Sequence, residues 1–161
     1  MTPAIEMKGI TKYFASTQVR ANDHVDFSVE SGEVHGLVGE NGAGKTTLMN
    51  ILYGLIKLDS GEILIDSQKV QINHPDDAIR HGIGMVHQHF KLVPSFTVAQ
   101  NILLGMEPNE AGFLNQQKEN ELVNELAKKY NLPVYPAARI RDLPVGMQQR
   151  VEILKVLERN A

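Results

Sequence analysis

The chain has 161 residues, 42% of them apolar and 22% charged, with a formal net charge of -3 and no cysteine. That length suffices for one domain with a real core and not for two comfortable ones. The 16 basic and 19 acidic residues leave no basic field for a nucleic-acid partner, and the lack of cysteine excludes disulfides, thiolate catalysis and Cys-based zinc sites.

In chain order, residues 4–10 and 17–30 read as strands. In "HVDFSVE", Val25, Phe27 and Val29 share one face, the period-2 pattern of antiparallel sheet with a solvated side. Ser31-Gly32 marks a turn, and "EVHGLVG", 33–39, reads as a short, more fully buried strand. A Gly-rich loop follows, then a helix over 45–54 closed by Gly54. A turn at 58–61 precedes an alternating strand, 62–66. Pro75 stands at a first helical position, with a short helix ended by Gly82, and "IGMVHQ", 83–88, reads as another short strand.

Beyond residue 88 the periodicity turns helical, over 96–105 and 115–131. In the second of these, Leu122, Leu126 and Tyr130, with Val123, form a stripe expected to face a core. A Pro-broken connection, 132–139, leads to "DLPVGMQQRVEILKVLERNA", a tight loop opening into an amphipathic helix. Strands dominate the first half and helices the second, so a division near residue 90 is expected, with 1–90 as one part and 91–161 as the other. The N-terminal "MTPAIEMKGITKYF" holds no long apolar run, so no signal peptide is expected. No window approaches the roughly 20 apolar residues of a spanning helix, so membrane association would go through a partner.

The chemistry concentrates in "GENGAGKTT", where Gly39, Gly44, Lys45 and Thr46 satisfy G-x-x-x-x-G-K-[ST]. Gly-rich backbone from Gly39 through Glu40, Asn41, Gly42, Ala43 and Gly44 can turn successive N–H groups toward phosphate oxygens. The helix that follows adds the positive end of its dipole. Lys45 would bridge the β- and γ-phosphates as a point charge. The Thr46 hydroxyl would ligate Mg²⁺, and Thr47 can reach the α-phosphate. The bland alternative is a Gly-rich turn that fits by accident. The strand before and the helix after are the context that favours phosphate binding.

The order "GENGAGKTTLMNILYGL", "DSGEI", "GMVHQHF", "LPVGMQQRVEILK" resembles the ATP-binding subunit of an ABC transporter over nearly the whole chain. Its wording is most similar to importers of simple sugars and nucleosides. The resemblance implies an α/β fold, a P-loop NTPase (ABC ATPase) with an antiparallel β subdomain, a partial core sheet and a helical subdomain. It also implies ATP and Mg²⁺ as cofactors. The implied partners are transmembrane permease subunits, a second ATPase domain bound head-to-tail and, indirectly, a substrate-binding lipoprotein. The implied location is peripheral, on the cytoplasmic face of the cell membrane.

By the same resemblance Phe14 would stack on adenine, with Tyr13 the lesser candidate; the bland alternative for Phe14 is packing at a strand end. Stacking of this kind tolerates any base. Gln88 would contact Mg²⁺ and the attacking water, making Lys45 and Gln88 the catalytic pair. His87 and His89 flank Gln88 and share a strand face, but no third metal ligand is in view. The signature-like loop, Pro144, Val145, Gly146 and Met147, would face ATP held by the partner domain, with proline where the family places a serine. No N-K-x-D segment for guanine is present, which argues against a GTPase.

The resemblance further implies a strand ending in Asp, a catalytic Glu and a switch His beyond the last helix. None has a counterpart within these residues. Two expectations follow: the chain is a fragment of a subunit at least half as long again, and strand 33–38 lacks its neighbours and exposes backbone groups. The alternative to a transport ATPase is therefore a nucleotide-binding fragment without hydrolytic competence.

Overall fold

The computed structural model describes residues 3–87, 90–110 and 113–159, which form two compact units, Met1–Ile83 and Gly84–Ala161. In the first, β1 (Pro3–Phe14), β2 (Val19–Glu30), β3 (Ser60–Ile65) and β4 (Gln68–Val70) make an antiparallel sheet in the order β2-β1-β3-β4. β1 extends four residues beyond the expected 4–10, because β2 pairs with it as far as Phe14↔Val19. The alternation in β2 holds: Val25 and Phe27 pack on the core while Asp26 and Ser28 are exposed.

Helix α1 (Lys45–Leu52) lays Leu48, Ile51 and Leu52 against Met7 and Ile10 of β1 and Ile63 of β3. Each such side chain contributes about 1.5–3 kcal/mol by leaving water. Helix α1 stops where Gly54 turns left-handed at φ 79°, and an added Cβ there would lie 2.6 Å from the His74 backbone. Helix α2 (Pro75–Arg80) has Pro75 in its first turn, and Asp77 accepts from the Asn73 and His74 amides at 2.9 and 3.0 Å. These backbone bonds, Asn73 first, hold the Asp77 carboxyl below the usual carboxylate range, and Arg80 pairs with it as well.

The second unit contains α3 (Val98–Ile102), a two-residue ladder of β5 (Asn109–Glu110) and β6 (Phe113–Leu114), α4 (Gln116–Lys129), a 3₁₀ turn at Ile140–Asp142 and α5 (Val145–Glu158). Helix α3 is shorter than the expected 96–105. It opens with a reciprocal cap in which Thr97 Oγ1 accepts from the Gln100 amide and Gln100 Oε1 from the Thr97 amide. The core joins Val98 and Ile102 of α3, Val123 and Leu126 of α4, and Val151 and Leu154 of α5.

Three expectations need correction. The segment 33–39 forms no ladder: Val34 is 100% and Val38 93% exposed. An extended segment becomes a strand only when a neighbour takes its backbone groups, and none of the described residues pairs with it, as the expected lack of neighbours at 33–38 implied. The same reason leaves 83–87 without strand structure; Gln88 and His89 lie outside the described residues. In α4, Leu122 is 38% exposed, and the buried face runs through Glu119, Val123, Leu126 and Ala127 instead. Burial, and secondarily Glu107, pushes the Glu119 carboxyl up. Among the described residues no helix is long and apolar enough to cross a membrane.

Candidate functional site

The loop before α1 departs from ordinary backbone at two glycines. Gly42 and Gly44 both have φ 86°, which a side chain would strain, and Gly44 is the residue from which α1 starts. Its carbonyl accepts from the Leu48 amide at 2.9 Å, the first bond of the helix. The amides of Lys45, Thr46 and Thr47 therefore have no intrahelical acceptor, as at any helix start. Lys45 Nζ folds back over the loop and donates to Gly39 O and to Glu40 O, both at 2.7 Å. An ammonium carries three N–H donors, so one remains for an incoming oxygen.

Phe14 and the segment Asn41–Thr47 line one cavity of about 420 Å³. Phe14 ends β1, and two contacts hold that end. Lys12 Nζ lies 5.7 Å from the Phe14 ring centroid, and it pairs with Asp59 at 2.8 Å. Asp59 also accepts from the Tyr13 amide at 2.7 Å, and Lys12 first, then this amide, keep its carboxyl below the usual range. Tyr13, next along β1, does not line the cavity. One polymer therefore presents an aromatic face at one side of the cavity and a cation with a helix start at the other. Such a set fits an anionic ligand carrying a flat ring, and polyphosphate with a base is that chemistry.

The cavity wall also includes Thr17, Val19 and Ala21, which the sequence reading did not assign. Val19 and Ala21 are two apart on β2 and so share a face, a signal available from the alternation of that strand.

Pro144–Met147 belong to the other unit. Pro144 caps α5 in extended backbone (φ -58°, ψ 153°), and its carbonyl accepts from Met147 and Gln148 at 2.9 and 3.1 Å. Val145 and Gly146 are exposed, while Met147 packs against the helical core. The Val145 and Gly146 amides thus stand at a solvent-facing helix start. Beside the undescribed Gln88, burial and then Lys91 hold His87 below its usual range, with Glu152 acting the other way. Lys155 Nζ donates to Lys91 O at 2.8 Å, and Asn101 bonds both backbone groups of Val93, so α5 and α3 both tie down the segment after residue 90.

The family model that matches this sequence, ABC transporter, covers residues 22–161. The chain belongs to the ABC transporter family. Among its curated relatives it is 49% identical, over 161 residues, to the guanosine import ATP-binding protein NupO of Bacillus subtilis (strain 168), covering 100% of this chain and 31% of that protein. It is 46% identical to the ribose import ATP-binding protein RbsA 1 of Rubrobacter xylanophilus, covering 98% of this chain and again 31% of the relative. This ABC chain spans about a third of the length of the curated relatives it matches.

Solved structures agree on the fold. A nucleotide-free ATP-binding cassette from an ABC transporter matches with a TM-score of 0.80 at 26% identity, covering 98% of this chain and 66% of that one. The dimeric cassette MJ0796, bound to ADP and Pi after hydrolysis, matches with a TM-score of 0.74 at 27% identity, covering 97% and 70%. The α/β P-loop ATPase fold expected from the motifs is therefore the fold of this chain, although the segments expected to supply core strands carry no ladder.

Proposed function

We propose that this chain is the nucleotide-binding portion of an import ATPase that couples ATP binding and hydrolysis to uptake of a simple sugar or nucleoside. The observation that carries this reading is the shared cavity of Phe14, Lys45 and the start of α1. The solute class rests on the guanosine and ribose importers among its relatives. In this reading the first unit is the nucleotide-binding core with its antiparallel β subdomain, and the second is the helical subdomain. Phe14 stacks on adenine, the amides from Gly39 to Gly44 and the start of α1 hold the phosphates, and Lys45 offers its remaining donor to the β- and γ-phosphates. Thr47 reaches the α-phosphate. Thr46 and Gln88 would hold Mg²⁺, which would screen phosphate charge.

The Val145 and Gly146 amides, with Pro144 and Met147 beside them, would face ATP on a second ATPase domain arranged head-to-tail. A helix start offers anion binding there even with proline in place of the serine hydroxyl. Permease subunits and, indirectly, a substrate-binding lipoprotein complete the assembly, and the domain works peripherally at the cytoplasmic face.

The test compares the intact protein with its Lys45→Ala variant, measuring ATP affinity and phosphate release. Affinity at least about tenfold weaker in the variant, with turnover abolished, is the expected result, because a charge-assisted contact is worth about 1.5–3 kcal/mol. Equal ATP affinity in the two proteins would remove Lys45 from the site. Tight binding with no phosphate release by the intact protein would favour a nucleotide-binding module over an ATPase.

A further inference from the structure

Asn22 lies on β2, is 5% exposed, and belongs to no motif in the chain. The backbone of β2 and the phosphate loop are in close approach here. A Cβ added to Gly44 would lie 2.1 Å from Ala21 O and 2.9 Å from Asn22 Nδ2. The Gly44 carbonyl has two donors. One is the Leu48 amide that opens α1, and the other is Asn22 Nδ2 at 3.3 Å. The other half of the same amide, Oδ1, is buried with no hydrogen-bond partner. Turning the amide over would set its oxygen against the Gly44 carbonyl, so the donor orientation is imposed. A buried, half-satisfied amide is costly, and a leucine of similar volume would avoid that cost. The amide has to be explained by what its donor does.

We propose that Asn22 is a positioning residue of the phosphate loop. Its amide fixes the direction of the Gly44 carbonyl, and through it the axis of the first turn of α1. The Lys45, Thr46 and Thr47 amides then converge on the phosphates of the nucleotide. Asn22 pairs with Lys12 of β1, two residues before Phe14, so one strand pair sets both ends of the cavity. The inference rests on the nucleotide reading of that cavity.

The test uses the intact protein and its Asn22→Leu, Asn22→Ser and Lys45→Ala variants. Each is titrated with ATP and with AMP, which lacks the β- and γ-phosphates, and its thermal midpoint is measured without nucleotide. For Asn22→Leu, ATP affinity is expected to fall about 3- to 10-fold, the range of one hydrogen bond, with AMP, which keeps only the α-phosphate, losing less and the midpoint unchanged. Asn22→Ser, smaller and still polar, covers the case in which leucine does not fit, and the same split is expected of it. Parallel loss of ATP and AMP affinity with a lowered midpoint would mean general packing and overturn the proposal. Unchanged ATP affinity in both Asn22 variants, with Lys45→Ala weakened, would overturn it while leaving the nucleotide reading intact. If Lys45→Ala binds ATP normally too, the nucleotide reading fails and the proposal with it.

Discussion

Gly44 and Phe14 show how much a single position can carry. At Gly44 a methyl group has no room against the β2 backbone, and φ 86° is already outside the range of most side chains. Gly44→Ala is therefore expected to cost at least about 2 kcal/mol of folding stability, read as a lowered denaturant midpoint. An unchanged midpoint would mean that the loop relaxes freely. Phe14→Ala removes the aromatic wall of the cavity. ATP affinity should fall by about 1–3 kcal/mol, and GTP affinity with it, since stacking is base-tolerant. A lowered thermal midpoint with intact affinity would instead assign Phe14 to packing. At this scale the Gly-rich loop and the helix start after it were legible, because their residue types are set by local backbone geometry. The part played by Asn22 was not, because a buried amide 22 residues from its acceptor leaves no local pattern.

Between elements, polar side chains do work that periodicity does not reveal. Asn101 in α3 is 1% exposed and makes three bonds. It accepts from the Val93 amide at 2.7 Å and donates to Val93 O at 3.1 Å and Thr97 O at 2.9 Å. Asn101→Leu keeps the volume and leaves both Val93 groups without their partner. The expected cost is about 1–3 kcal/mol, measurable by urea unfolding, with the slope unchanged. A neutral result would show that solvent satisfies Val93. The helices themselves were readable, although the buried stripe of α4 was displaced. Leu122 was expected inside with Val123, Leu126 and Tyr130, whereas packing against α3 and α5 keeps Val123 and Leu126 buried, adds Glu119 and Ala127 and leaves Leu122 exposed. The segment 33–39 forms no ladder, in keeping with the expectation that 33–38 lacks its neighbours. A helix completes its hydrogen bonds within itself, but a strand borrows its partners from elsewhere in the chain.

For the molecule as a whole, three depressed carboxylates set the direction of the acid limb. Asp59 is held down by Lys12 and then the Tyr13 amide, Asp77 by the Asn73 and His74 amides, and Glu33 by the Glu30 amide and His35. A carboxyl depressed in the folded state contributes stability that is complete above its unfolded value, about pH 4. That contribution is lost as pH falls through the lower folded value. The thermal midpoint is therefore expected to drop below about pH 4, with a shallower drop in Asp59→Asn. An identical acid limb in that variant would remove Asp59 from the account.

The amino-acid sequence by itself determined the Gly-rich loop with the helix that follows it, the antiparallel alternation of β2 and the family to which the chain belongs. Each is encoded in residues near one another along the chain, where local sterics and periodicity decide. Only the tertiary structure decided which face of α4 is buried, that Phe14 and Lys45 line one cavity, and that Asn22 bonds the Gly44 carbonyl. These depend on which distant segments meet, and hydrogen-bond partners and packing neighbours drawn from far along the chain leave no periodic trace in it.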